Sequence, residues 1–246
     1  MSVCVKFAAT HFNTFELVCY RGAIGTIIMA LLCQRKGVSL KTPVAEMHIY
    51  RSIVGVISLA AWFYAIAKLP LATAMTLNYM SGVWVAAFLV GSTIWLGSFK
   101  NATRQIPVAL TVLAGFAGVV MTLRPTFEQN QMLAGLIGVA SGMIAAMAYL
   151  QVAALGKVGE PVERTVFYFS LGSAVAGALC MLVWGTSEWV WSEAWLLLPI
   201  GILAALGQWC MTRAYNDGAT MVVANLQYSG IVFSALFGLF LFGDQI

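Results

Sequence analysis

The chain has 246 residues, of which 61% are hydrophobic and only 9% are charged, with a formal net charge of +4. Its mean hydropathy is +0.89, and a soluble domain of this length needs many more charged residues to cover its surface. The composition therefore excludes a soluble globular domain. It predicts an integral membrane protein that lies in the lipid bilayer and has no nucleic acid partner.

Apolar stretches long enough to cross a hydrocarbon core of roughly 30 Å as helices recur along the whole chain. Leu, Ala, Met and Gly dominate these stretches, and they lack the alternation of a lipid-facing β-strand. The predicted spans are 15–33, 50–67, 72–95, 106–123, 132–155, 165–185, 195–213 and 219–242. The sequence thus predicts an all-α integral membrane protein.

The two ends of the chain resemble pieces of further helices. Residues 1–9, MSVCVKFAA, are apolar, but nine residues at about 1.5 Å each are too short to cross a bilayer. The chain stops at Gly243-Asp244-Gln245-Ile246, close to the end of the last predicted span. We therefore expect this sequence to be part of a slightly larger protein, with a partial first helix.

The basic residues predict how the helices are oriented. Counted over alternate helix ends, most of them fall on one side of the membrane, namely Arg35, Lys36, Lys41, Arg51, Lys100, Arg104, Lys157, Arg164 and Arg213. The other side has Lys6, Lys68 and Arg124, together with a cluster of Trp residues at 184–195 that is typical of an interfacial belt. Because Lys and Arg accumulate on the cytoplasmic side, the first group and the missing N-terminus are predicted to be cytoplasmic.

An internal repeat is visible when the sequence is shifted by 148 residues. The shift places MSGVWVAA, 80–87, over YSGIVFSA, 228–235, and Leu69-Pro70 over Asp217-Gly218. The basic connection 34–51 then falls on 182–199, which has no Lys or Arg, so equivalent connections lie on opposite sides. This predicts an inverted repeat of five plus five transmembrane helices, 1–124 and 125–246, with the first helix partial and the tenth absent.

Polar and small residues recur on one helix face in each predicted repeat. They are Asn78, Ser81, Gly82 and Val85 in the first repeat and Asn225, Tyr228, Ser229 and Val232 in the second. Small residues allow helices to approach closely. Ser81, Gly82, Ser229 and Gly230 are therefore predicted to pack the helices together or to form a gate. For the amides and for Tyr228, helix packing and substrate binding both remain open.

Charged residues within the predicted spans are rare. Arg21 lies deeper in its helix than Glu16, and it either reaches out to the membrane surface or attracts a substrate carboxylate. All Asp and Glu residues lie at helix ends or in connections. No acidic side chain is placed in mid-membrane to carry a proton, so we expect facilitated export or exchange, and proton coupling stays open.

Three stretches resemble the EamA branch of the drug/metabolite transporter superfamily, whose members have ten helices in two inverted repeats. They are FELVCYRGAIG at 15–25, AWFYAIAKLPLATAMTLNYMSGVWVAAF at 61–88 and GQWCMTRAYNDGATMVVANLQYSGIVFSALFGLFLFGD at 207–244. The chain departs from that family at Ser81-Gly82 and Ser229-Gly230, where Ser-Pro is usual. The resemblance implies a central substrate cavity walled by Arg21, Trp62, Asn78, Tyr149, Gln208, Trp209, Asn225 and Tyr228.

The resemblance also implies a function. We expect an inner-membrane exporter of small neutral or zwitterionic metabolites, such as amino acids, that works by alternating access. No cofactor, metal site or catalytic residue is expected, and homodimer formation stays open. The alternative is a non-transporting truncated membrane protein or structural fragment. A membrane enzyme is disfavoured, because the Ser residues have no nearby base and neither His nor Asp falls within a predicted span.

Overall fold

The structure is a computed structural model that describes residues 1–95, 106–107, 109–114, 116–117, 121, 131–189 and 191–242. The helices are α1 (Ser2–Ala8), α2 (Thr14–Lys36), α3 (Ala45–Lys68), α4 (Leu71–Tyr79), α5 (Ser81–Trp95), α6 (Met132–Lys157), α7 (Val162–Trp184), α8 (Leu197–Asp217), α9 (Thr220–Leu226) and α10 (Ser229–Phe237). A 3₁₀ turn at Ala194–Leu196 precedes α8, and a π-helical turn at Gly238–Phe242 follows α10.

Six helical segments of the described residues are long and apolar enough to cross a membrane. They are Thr14–Lys36, Ala45–Lys68, Leu71–Trp95, Met132–Lys157, Val162–Trp184 and Ala194–Asp217. The prediction of a multi-pass helical membrane protein is therefore confirmed. Seven of the 18 residues of the predicted span 106–123 lie outside the described residues, as does the boundary predicted between residues 124 and 125.

Helix α3 begins five residues before the predicted span. It starts at Ala45 rather than at residue 50, which places Arg51 in the second turn of the helix instead of the first, and Arg51 is buried. The assignment of Arg51 to the edge of a connection is therefore wrong. The cause is the polar start of α3, where Nε2 of the buried His48 lies 3.2 Å from Oε2 of Glu160, a residue far along the chain.

Two predicted helices are divided at equivalent places. The segment predicted at 72–95 is interrupted at Met80, between α4 and α5. The segment predicted at 219–242 is interrupted at Gln227 and Tyr228, between α9 and α10. Each interruption directly precedes a Ser-Gly pair, and glycine is the residue that most weakens a helix interior.

Helices α2 and α7 pack against each other in antiparallel orientation, with their backbones in close contact. A Cβ atom at Gly22 would lie 2.8 Å from the backbone oxygen of Ser170, and one at Gly177 would lie 2.6 Å from the backbone nitrogen of Cys19. Since any side chain at these two positions would hold the helices apart, glycine sets their spacing.

At one end of the α2–α7 pair, hydrogen bonds to Glu16 link the start of α2 to the segment that follows α7. Asn13 caps α2, and the Glu16 carboxylate accepts hydrogen bonds from the backbone nitrogen of Asn13 at 2.7 Å and from that of Ser187 at 3.3 Å. The Phe15 ring stacks on Trp184 at 5.3 Å between ring centroids. Glu16 is 1% exposed, and its carboxylate is held by these two backbone hydrogen bonds.

The opposite end of the bundle carries ion pairs. Lys36 Nζ lies 2.6 Å from Glu163 Oε1, and the Lys36 ammonium also lies over the Trp209 ring. Close by, the Glu160 carboxylate accepts hydrogen bonds from Thr42 Oγ1 at 2.9 Å and from Arg164 Nη1 at 3.1 Å. Although burial raises its pKa, these hydrogen bonds, the contact with His48 and the Arg164 charge hold the Glu160 pKa below the ordinary value for glutamate.

Candidate functional site

A cavity of about 550 Å³ lies between the membrane-spanning helices. Residues of α1, α2, α3, α4, α6, α7, α8 and α9 line it, so it lies between these helices. Its polar and aromatic lining residues are Arg21, Arg51, Ser58, Trp62, Asn78, Tyr79, Tyr149, Phe169, Gln208 and Gln227. A volume of this size, with a few polar groups in an apolar wall, is typical of a small-molecule binding site.

Two arginine side chains reach this cavity from different helices. Arg21 of α2 and Arg51 of α3 are 4% and 3% exposed. Their guanidinium carbons lie 5.3 Å and 4.1 Å from the centroid of the same ring, that of Phe169 in α7. The Nε and Nη1 atoms of both residues have no hydrogen-bond partner in the described part of the chain. The site therefore contains two buried cations with unused donors.

Gly55 makes room for the Arg51 side chain. A Cβ atom at Gly55 would collide with Arg51 Nη1 and would lie 2.7 Å from Phe169 Cε2. Gly55 follows Arg51 by one helical turn, so the guanidinium group lies further into the bundle than its own Cα. This glycine allows a cation near the start of α3 to reach the cavity.

Asn78 contributes one side of its amide to helix packing. Its Nδ2 atom donates to Ser141 Oγ at 3.0 Å, which joins α4 to α6. Ser58 Oγ donates to the backbone oxygen of Ser141 at 2.8 Å and adds α3 to the same network. Asn78 therefore takes part in helix packing and also lines the cavity, and its role in substrate binding stays a prediction.

Aromatic rings and amides form the remaining polar wall. Trp62 Nε1, Gln208 Oε1 and Gln227 Oε1 are buried atoms without a hydrogen-bond partner in the described residues. Tyr149 lines the cavity and stacks on Tyr215 with 5.3 Å between ring centroids. The cavity therefore offers unpaired donors and unpaired acceptors at the same time.

Three residues predicted for the wall lie elsewhere. Trp209 does not line the cavity, since its Nε1 donates to Glu163 Oε1 at 3.1 Å at one end of the bundle. Asn225 and Tyr228 are also outside the cavity lining. Trp209 follows Gln208 directly, and consecutive residues of a helix point in different directions, so only one of the two reaches the cavity.

The two Ser-Gly pairs lie at contacts between α4–α5 and α9–α10. A Cβ atom at Gly82 would lie 2.9 Å from Tyr228 Oη, and one at Gly230 would lie 2.5 Å from Tyr79 Oη. Ser81 is fully buried, whereas Ser229 is exposed and donates to the backbone oxygen of Leu226 at 2.8 Å. The predicted packing role thus agrees with the surroundings of the two glycines and of Ser81. It does not describe Ser229, which is exposed and hydrogen-bonds the residue three positions before it.

Arg51, Tyr79 and Gln227 also line the cavity and were not among the wall residues predicted from the sequence. A signal for Arg51 was present, because Gly55, Ser58 and Trp62 follow it at i+4, i+7 and i+11 on one helix face. All four line the cavity. Within the described residues, no group of three His, Cys, Asp or Glu side chains is placed to hold a metal ion.

Comparisons with known proteins agree with this architecture. The chain is 32% identical over 252 residues to the pseudopaline exporter CntI of Pseudomonas aeruginosa, covering 100% of this chain and 84% of that protein. It is 26% identical to a riboflavin transporter of Vibrio cholerae, covering 97% of this chain and 78% of the relative. A crystal structure with 22% sequence identity has a TM-score of 0.73 and covers 96% of this chain and 83% of the solved chain.

No protein-family model matches the chain. Both relatives are named as transporters, in agreement with the prediction that the chain is a transporter and not an enzyme. The fold, the cavity inside the bundle and the identity over the whole chain lead to one conclusion. This chain belongs to the family of multi-pass membrane transporters that includes the pseudopaline exporter of Pseudomonas aeruginosa.

Proposed function

We propose that the chain exports small metabolites that carry a carboxylate, zwitterions such as amino acids among them, through the cavity between its helices. The observation that carries this proposal is the cavity of about 550 Å³, with unpaired polar atoms on its wall, inside a helical bundle of a transporter family. Buried polar atoms without partners are costly, and a bound polar solute satisfies them.

We also propose that transport works by alternating access of two inverted halves. The helix bounds support this, because adding 148 to the bounds of α2, Thr14–Lys36, yields the bounds of α7, Val162–Trp184. The two helices are antiparallel: Asn13 Nδ2 donates to the backbone oxygen of Gly185, and Lys36 pairs with Glu163 at the other end. An antiparallel pair of equivalent helices is what an inverted repeat requires.

The helix interruptions support the same repeat. Met80 precedes the first Ser-Gly pair, and Tyr228 precedes the second, at positions that are also 148 residues apart. This arrangement fits the EamA branch of the drug/metabolite transporter superfamily, with 1–124 and 125–246 as the two repeats. Distortions at equivalent points of both halves are natural places for the helices to bend when the cavity changes its open side.

The proposed location is the inner membrane, with the end of the bundle that carries Lys36 and Arg164 in the cytoplasm. Lys36 and Arg213 both lie over the Trp209 ring, and Arg164 lies beside Glu160, so these basic residues gather at one end of the bundle. Trp184 and Trp189 contact Phe15 and Phe12 at the other end. An excess of Lys and Arg at one end supports a cytoplasmic assignment for that end.

Efflux from proteoliposomes tests the proposal. The purified chain is reconstituted, the vesicles are loaded with one radiolabelled amino acid at a time, and its release is compared with that from protein-free vesicles. We expect faster release for at least one amino acid. The variant Ala145→Trp places an indole ring in the cavity and is expected to stop this release.

Met147→Trp is the matched control for the blocking variant. Met147 lies two residues along the same helix, and its side chain is 38% exposed, so the same substitution leaves the cavity open and should preserve efflux. Equal release from wild-type and protein-free vesicles for all twenty amino acids would refute this substrate class. Equal block by both Trp variants would refute the cavity as the route.

A further inference from the structure

Arg21 and Arg51 are buried cations, and the described residues that line the cavity provide no negative charge to balance them. Among the described residues, no Asp or Glu lines the cavity that Arg21 and Arg51 reach. Glu16, the nearest acidic residue along α2, uses its carboxylate on the backbone nitrogens of Asn13 and Ser187. The described protein therefore leaves two cations without a fixed anionic partner.

Burying two unpaired guanidinium groups in a membrane protein is unfavourable in free energy. A guanidinium group within the bilayer region costs several kcal/mol unless it is paired or hydrated, and two like charges beside one ring also repel each other. The Phe169 ring contacts both guanidinium groups and offsets only part of this cost. Helix packing by itself does not explain why Arg21 and Arg51, from two different helices, both contact the Phe169 ring.

The positions and donors of the two arginines fit a ligand with two anionic groups. Each guanidinium group has a fork of donors that matches a carboxylate, and in each residue Nε and Nη1 are unused. The free oxygens of Gln208 and Gln227 lie on the same cavity. They are suitable acceptors for an ammonium group of the ligand.

We infer that the substrate is an amino-dicarboxylate, with one carboxylate bound by Arg21 and the other by Arg51. This inference rests on the proposed function and narrows it to substrates with two carboxylates. Two carboxylates neutralise the two guanidinium groups, so the occupied cavity no longer holds excess positive charge. A substrate with one carboxylate leaves one arginine unpaired and is expected to bind more weakly.

The size of the cavity limits the probe molecules. A volume of about 550 Å³ falls in the range that holds ligands larger than a single amino acid. The dipeptides Ala-Glu and Ala-Gln are suitable probes, because they have almost the same size and shape and differ in one carboxylate. The comparison between them reports the contribution of the second negative charge.

Binding of both dipeptides to the detergent-solubilised chain tests the inference. Titration calorimetry is expected to show that Ala-Glu binds at least about tenfold more tightly than Ala-Gln, the size of one lost charge-assisted hydrogen bond. In Arg21→Gln and in Arg51→Gln, this ratio is expected to fall to about one. Arg213→Gln is the control, since Arg213 is exposed and pairs with Asp217 outside the cavity, and it should keep the ratio.

The stability of the ligand-free variants separates substrate binding from a structural role. If the arginines bind the ligand, Arg51→Gln removes an unpaired buried charge. The melting temperature of this variant is then equal to or above that of the wild type. If Arg51 serves packing on Phe169, the melting temperature falls. A fall in melting temperature without loss of the affinity ratio would overturn the inference.

The efflux assay distinguishes this inference from the proposed function. In one outcome, amino acids still leave wild-type vesicles faster than Ala145→Trp vesicles, but the two dipeptides bind equally or neither binds. This outcome overturns the inference. The proposed function then stands with a different substrate. If neither the amino acids nor the dipeptides leave wild-type vesicles above that background, the proposed function fails and the inference fails with it.

Discussion

The hydroxyl group of Tyr79 lies directly against Gly230, where a Cβ atom would be 2.5 Å from Tyr79 Oη. The reciprocal contact is made by Tyr228 and Gly82, at 2.9 Å from the equivalent Cβ position. Each glycine of the two Ser-Gly pairs therefore accommodates a tyrosine from the opposite half of the chain. The glycines are needed for the space they leave, in addition to any bend they allow.

We predict that Gly230→Ala destabilises the bundle by about 1–3 kcal/mol, because the added methyl group overlaps the Tyr79 hydroxyl. Tyr79→Phe removes that hydroxyl, so the double variant should lose less stability than the sum of the two single variants. Thermal unfolding in detergent measures all three. Additive losses would show that the Tyr79–Gly230 contact does not limit packing.

A second prediction concerns the spacing of α2 and α7. Gly22→Ala is expected to cost about 1–3 kcal/mol or more, since the new Cβ atom meets backbone atoms of Ser170 and Ala174 that cannot rotate away. Gly91→Ala is the control, because no atom lies within 4 Å of a Cβ at that position. Thermal unfolding should show a large loss for the first variant and no loss for the second.

A third prediction separates the two roles of Asn78. Asn78→Ala and Ser141→Ala both remove the hydrogen bond between these residues, at a cost of about 1 kcal/mol. Only Asn78 lines the cavity, so Asn78→Ala is expected to slow efflux much more than Ser141→Ala. Equal efflux in both variants, with equal protein in the vesicles, would restrict Asn78 to helix packing.

A fourth prediction follows from the lowered pKa of Glu160. A carboxylate with a depressed pKa in the folded state adds stability above its unfolded pKa of about 4.3, and this stability is lost as the pH falls through the folded value. Glu160→Gln is therefore expected to cost about 1.5–3 kcal/mol at pH 7. The difference from wild type should shrink as the pH drops below about 4.

Glu46→Gln is the matched control for this pH dependence. Glu46 lies in the first turn of α3 and is exposed, so its substitution should change stability little at any pH. Thermal unfolding of the three proteins across the pH range gives the result. A gap between wild type and Glu160→Gln that is the same at low and neutral pH would contradict the proposed contribution of the carboxylate.

Local features of the sequence were enough to predict the class of the fold. Helix length, apolar composition and the rarity of charge are properties of short segments, and the bilayer requires helices to satisfy their own backbones. The pairs Ser81-Gly82 and Ser229-Gly230 were visible in the same way, because their similarity under a shift needs no knowledge of contacts. Arg21, Trp62, Tyr149 and Gln208 were predicted as cavity residues from a family resemblance, and the structure places them on one cavity.

Only the tertiary structure determines which polar residues come into contact at the cavity. Arg51 looked like part of a charged connection, and it reaches the cavity because Gly55 leaves space and Phe169 comes from a helix far along the chain. Trp209 was predicted to line the cavity, but its indole nitrogen donates to Glu163 instead. Its neighbour Gln208 lines the cavity. Composition and spacing act within a segment and therefore determine a bundle of membrane helices. The rotation of each helix about its axis depends on contacts with its neighbours, and this rotation decides which side chains line the cavity.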